Sequence, residues 1–190
     1  MADSKISALP AATTALAGTE VLPIVQSSTT KQVSVANLTA GRDIAVLGIV
    51  GTTTNNNATA GSVGELVSST VASNGVAMTT ATGVDITSIS LTAGDWDVSG
   101  VVGITNTLGT TTYQYIQYSS SSTSATIGSL GQGGSLTPNT NIAATADYLV
   151  AIPTTRYSLA STTTIYLVAR AGFAVSNSFA YGVIRARRVR

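Results

Sequence analysis

Neither cysteine nor histidine occurs anywhere in the chain. Without Cys there is no disulfide staple, no thiolate nucleophile and no zinc site of the usual kind. Without His the commonest general base and the commonest nitrogen ligand for metals are missing as well. Charge is scarce too: Asp, Glu, Lys and Arg make up 9% of residues, with a formal net charge of +1, against about 25% in an ordinary soluble domain. Mean hydropathy is positive, +0.34. Together these values point to surface hidden in an assembly rather than wetted all round. No run approaches the roughly 20 apolar residues that a spanning helix needs. The start, MADSKISALPAATTALAG, has one Lys but no continuous apolar stretch of the signal-peptide kind. The protein is therefore expected to stay in the cytoplasm of the cell that makes it until it is assembled.

What the chain has in abundance is Ser and Thr, 54 residues, and Gly, 18. Thr, Val and Ile favour pleated sheet, and Gly, Asn and Ser mark the turns between strands. This composition predicts an all-β protein. A compact chain of this length buries roughly 70% of its unfolded surface, enough for one core plus an accessory segment.

Patterning divides the chain into three stretches. In residues 1–40, Val21, Leu22, Ile24 and Val25 surround Pro23, which removes one ladder donor and so favours an edge strand. Ser27 to Thr30 supply a turn, and Lys31-Gln32-Val33-Ser34-Val35 alternates polar and apolar, the period of a half-buried strand. Ser34 then stands where it can cap one helical turn through Leu38. A hairpin plus a helical turn is too small to bury its own apolar groups. Residues 41–62 open with an apolar run, 44–50, and continue as GTTTNNNATAGS, a linker by composition. Residues 63–190 read as six to eight strands separated by turns, a β-sandwich of jelly-roll type. Trp96, Val98, Val102 and Ile104 alternate on one face, with Asp95, Asp97 and Ser99 on a polar face in water. TYQYIQY places Tyr113 and Tyr115 together, opposite Ile116 and Tyr118; a Ser/Gly-rich loop is expected over 119–140.

The search for chemistry returns little. Asp95 and Asp97 share a strand face roughly 6–7 Å apart, a separation used in glycoside hydrolysis, but a strand start with wet carboxylates is the plainer reading. A calcium site normally draws on a loop of several oxygen donors, not on one such pair. Trp96, set between apolar residues, reads as a core side chain rather than a sugar platform. Tyr113, Tyr115 and Tyr118 are candidates for a partner-facing or recognition surface, since amphipathic rings suit interfaces. Arg185, Arg187 and Arg188, near the end of the last strand, are candidates for partner contact. They lack the aromatic interleaving and motif of a nucleic-acid site. The chain is read as non-enzymatic, with no cofactor and no metal.

The segment KISALPAATTALAGTEVLPIVQSSTTKQVSVANLTA, residues 5–40, resembles an N-terminal module of tailed-bacteriophage structural proteins, chiefly head fibres and tail fibres. Lys5 to Thr13, Gly18, Glu20, Pro23 to Gln26, Thr30 to Gln32 and Ala36 to Leu38 carry the likeness. Residues 61–102 are similar to a β domain toward the C-terminus of such fibres, and the two stretches cover about 40% of the chain. The resemblance implies a virion protein, assembled in the host cytoplasm, that forms a homotrimer. It implies that residues 1–40 anchor it to a capsid or tail protein, with Leu9, Val21, Leu22, Ile24, Val25, Val33, Val35 and Leu38 buried in that anchor or between subunits. The connection between module and β domain is only about 25 residues. That favours a stubby head fibre or capsid decoration over a long adsorption fibre. The alternative is a short receptor-binding tail fibre that recognises a host surface glycan; neither nucleic acid nor membrane is an expected partner.

Overall fold

The computed structural model describes residues 21–34, 54–107, 110–136, 140–142, 146–174 and 177–190. Leu9, the helical turn through Val35 and Leu38, and the 44–50 strand lie outside these residues. The chain divides into two compact units, Met1–Thr54 and Asn55–Arg190.

In the first unit, β1 (Val21–Gln26) and β2 (Thr29–Ser34) form an antiparallel hairpin. The two linking residues, Ser27 and Ser28, have φ of 53° and 58°, the left-handed pair that a two-residue type I′ turn requires. Pro23 sits opposite Gln32 in a ladder that has no third strand among the described residues, where its missing donor costs least.

The second unit holds β3 (Leu66–Ala77), β4 (Val84–Leu91), β5 (Gly94–Asn106), β6 (Thr111–Ser121), β7 (Gly133–Leu136), β8 (Thr140–Ile142), β9 (Asp147–Leu159), β10 (Thr163–Phe173) and β11 (Ser178–Arg188). Two sheets form, one in the order β3-β11-β5-β9 and the other β4-β10-β6-β7, with β8 also on β6. The pairs β3·β11, β4·β10, β5·β9 and β6·β7/β8 are nested like the two arms of one long hairpin. Successive rungs of that hairpin alternate between sheets. Rolling an antiparallel ribbon in this way gives the jelly roll, which the sequence pattern anticipated.

The core lies between the sheets and follows the strand alternation. Trp96, Val98, Val102 and Ile104 of β5 are buried, as are Ile165, Leu167, Ala169 and Ala171 of β10. The largest fully buried side chains are Trp96 and Tyr113. Two tyrosine hydroxyls in the core are paired with serines: Tyr113 Oη bonds Ser178 Oγ at 2.5 Å, and Tyr157 Oη donates to Ser120 Oγ at 3.0 Å. Burial pushes both phenols above the ordinary tyrosine range, with the serine hydroxyls pulling the other way.

Three features depart from the sequence expectation. The 119–140 stretch is not one loop: β6 continues to Ser121, and β7 and β8 add short strands to it. At Gly133 a Cβ would stand 1.9 Å from the Tyr118 carbonyl oxygen, so the strand is made of the small residues that composition assigns to turns. Residues 55–62 belong to the second unit: Asn57 pairs through its side-chain amide with both the N–H and the C=O of Leu66, at 3.0 and 2.8 Å. Finally, Asp95 is not on a wet face; it is 3% exposed.

Candidate functional site

The sequence candidates fall into three places. In the hairpin, the register sets Leu22 opposite Val33 and Ile24 opposite Lys31, so Leu22, Ile24 and Val33 share one face. Val21 and Leu22 are exposed, and Ile24 and Val33 are half-buried. Val25 pairs with Thr30. An isolated two-stranded hairpin is marginally stable at best, and this one carries its apolar groups on strands of six residues each.

The tyrosines of β6 separate. The β6·β10 register slips by one residue between Tyr113 and Tyr115, leaving Gln114 as an extra residue. Such a bulge reverses which face each later residue takes. Tyr113 therefore points inward with Ile116 and Tyr118, and both Tyr113 and Tyr118 are buried. That corrects their reading as recognition residues: strict alternation holds only until the bulge. Tyr113 packs edge-on against Phe173, with ring centres 5.7 Å apart. Tyr115 alone faces outward. Its ring lies across Gly172, where a Cβ would come within 2.4 Å, and the Arg170 guanidinium stands 5.9 Å from its centre.

The arginines separate as well. Arg185 and Arg187 are exposed on the outward side of β11. Arg188 turns inward and is 5% exposed. Its guanidinium stacks 4.2 Å from the centre of the Trp96 ring, pairs with Glu65 at 2.9 Å, and donates to the Ala93 carbonyl and the Thr92 hydroxyl. Arg188 is thus a structural side chain rather than a partner contact. Around it Gly64 N–H donates to Arg188 C=O, Arg188 N–H to Glu65 C=O and Asp95 N–H to Arg190 C=O. Asp95 Oδ2 accepts Arg156 at 2.7 Å and Arg190 at 2.9 Å. The Ser158 hydroxyl and then Arg156 hold the Asp95 carboxyl below its ordinary value. The Gly61 N–H and then Arg188 do the same for Glu65. A general acid for glycoside hydrolysis needs the opposite shift, so Asp95 is built as an ion-pair anchor. Residue spacing gives no sign of this, because Arg156 arrives from β9, 61 positions away.

One outward surface had no counterpart in the sequence reading. On the β3-β11-β5-β9 sheet the Tyr181 ring lies across Gly103, where a Cβ would come within 2.2 Å of it. Burial first and the Asp147 carboxylate second push the Tyr181 phenol up to about 12. On the other sheet a shallow depression of about 210 Å³ is lined by Gln117, Ile127, Gly128, Ser129, Leu130, Gly133, Gly134 and Ser135. It contains no aromatic platform and no charged group. Among the described residues no three Asp or Glu side chains gather as metal ligands would, and no helix is long and apolar enough to cross a membrane.

No protein-family model matches the chain, and none of the curated proteins does. Among solved structures, the chain is similar to that of the infectious bursal disease virus Gx strain, with a TM-score of 0.41 and 10% identity over 66% of this chain and 32% of that one. It is also similar to the VP2 subviral particle of infectious bursal disease virus, with a TM-score of 0.35 and 12% identity over 65% and 30%. The chain spans about a third of the length of these proteins. Likenesses this distant add nothing about function to what the strand order and side chains state.

Proposed function

We propose that this protein is a non-enzymatic structural protein of a tailed-bacteriophage virion, a homotrimeric head fibre or capsid decoration. Its N-terminal unit attaches to the particle and its jelly-roll unit forms the body of the spike. The observation that carries this reading is the hairpin. Its two short strands set Leu22, Ile24 and Val33 on one face, with Leu22 open to solvent. A two-stranded ribbon gains independent stability only when something covers such a face. The residues that build it are the ones that resemble the phage attachment module. Low charge, 9% of the chain, fits a protein that spends part of its surface on assembly partners.

The jelly-roll unit has its own core and its own closed set of strand pairs, so removal of residues 1–54 is expected to leave it folded. Truncated and full-length chains are incubated with particles stripped of this protein and then sedimented. Only the full-length chain should co-sediment. Binding by the truncated chain at equal strength, or failure of the full-length chain to bind, overturns the proposal. A tag on the jelly-roll unit, imaged on intact particles, places the protein on head or tail.

A further inference from the structure

We propose that a second copy of this chain packs on the outward face of the β3-β11-β5-β9 sheet, centred on Tyr181 and Val183. This rests on the oligomeric reading above and assigns it a surface. The sandwich has two outward faces, and they are finished differently. On the β4-β10-β6-β7 sheet the loop 122–132 folds back over the strands. Asp85 accepts the Ser124 hydroxyl and the Ala125 N–H, at 2.5 and 2.7 Å, and Ser119 Oγ accepts the Gly128 N–H at 2.8 Å. Val168, which points outward between Leu167 and Ala169, is fully buried as a result. The part of that face around Val168 is covered by its own chain.

Among the described residues no such cover lies on the opposite face. The register places Val183 beside Val101 and then Ala151, and Tyr181 beside Gly103 and then Leu149. These two rows cross three adjacent strands and form one contiguous apolar patch. Leu149 is 60% exposed, Ala151 is exposed, and Val101, Tyr181 and Val183 are partly exposed. Along β11 and β9 the patch gives way to Arg185, Arg187 and Arg156 at one end and Asp147 at the other. An apolar centre with a charged margin of both signs is the anatomy of a protein–protein interface. Mixed signs suit a second copy of this chain, which carries both signs at a net charge of +1, better than they suit a polyanion.

Size agrees. The β5·β11 ladder holds eleven residue pairs and the sheet has four strands. At about 3.3 Å per residue and 4.8 Å between strands, the face measures roughly 36 by 19 Å, or about 700 Å². Each partner in a standard interface contributes about 800 Å².

The test uses the full chain and measures mass by light scattering over a dilution series. Wild type is compared with Leu149→Arg, Val183→Glu and, on the covered face, Gln117→Glu. Leu149 is open in the single chain, so its replacement leaves folding intact; circular dichroism and a cooperative melt confirm this for each variant. Wild type and Gln117→Glu should run as oligomers, while Leu149→Arg and Val183→Glu should dissociate at concentrations about 100-fold higher than wild type. Folded Leu149→Arg and Val183→Glu proteins that keep the wild-type mass overturn this inference and leave the virion reading standing. The same holds if those variants keep the wild-type mass but lose particle binding, which would give the face to a different virion protein. A wild-type chain that is monomeric at all concentrations overturns the oligomeric reading and this inference with it.

Discussion

Arg188 shows how one side chain closes a sandwich. An inward-pointing arginine at the end of a core strand is unfavourable unless every donor is taken up and its face is covered. Here Glu65, Ala93 and Thr92 accept from it, and Trp96 lies against its plane. Replacing Arg188 with Ala should lower unfolding free energy by about 3 kcal/mol, because it strands a largely buried Glu65 and uncovers Trp96. Chemical denaturation measures the change. Asp95 and Glu65 are both held below their ordinary values. Each therefore contributes stability that is complete above the ordinary carboxylate range and is lost as pH falls through the lowered folded-state value. Melting temperature should stay level from pH 7 to about 5 and then decline toward pH 2. Asp95→Asn should start lower and decline less steeply, and calorimetry across that range checks it.

At the scale of elements, the hairpin turn is built from residues that do not favour it. Ser27 and Ser28 both occupy left-handed φ, which Asn-Gly adopts at far lower cost. Changing Ser28 to Gly should stabilise the hairpin by about 0.5–1 kcal/mol, read as slower hydrogen exchange of the β1 and β2 amides. The same scale shows where sequence legibility ends. The alternation of β5 is written plainly, and Trp96, Val98, Val102 and Ile104 are the buried set it names. The hairpin too could be read from Pro23, the Ser-rich turn and the alternation in Lys31–Ser34. What could not be read is where a strand gains a residue. Gln114 in β6, Ile86 in β4 and the excursion at Ala72–Gly75 in β3 each shift the count. A bulge is decided by the neighbouring strand, which lies far away in sequence. Strand β7 is hidden for another reason: Gly133 and Gly134 pair with Ser119 and Tyr118 only because no side chain intervenes.

At the scale of the whole molecule, the two outward faces of the sandwich differ more than its two sheets do. Composition indicated hidden surface but could not say which surface. For the jelly-roll unit the proposed surface is the one where the register collects Val101, Leu149, Ala151, Tyr181 and Val183 from three strands. No two of those strands are consecutive in sequence, so the patch has no linear signature. The candidate anchor was easier to find, since it is contiguous. That difference explains why residues 21–33 stand out in the sequence as a candidate anchor while the sheet face does not.

The network around Arg188 also has a mechanical meaning. In the proposed spike, held through its N-terminal unit, solvent drag pulls on the jelly-roll unit along residues 55–65. The first bonds to meet it are the Asn57 amide on Leu66, the Gly61 contact to Glu65, and the Glu65–Arg188 pair with its two backbone bonds. They share the tension before any rung of the β3·β11 ladder bears it alone. An edge strand is otherwise peeled one rung at a time from its loaded end. Here that end is riveted, and the rivet is seated on Trp96 in the core.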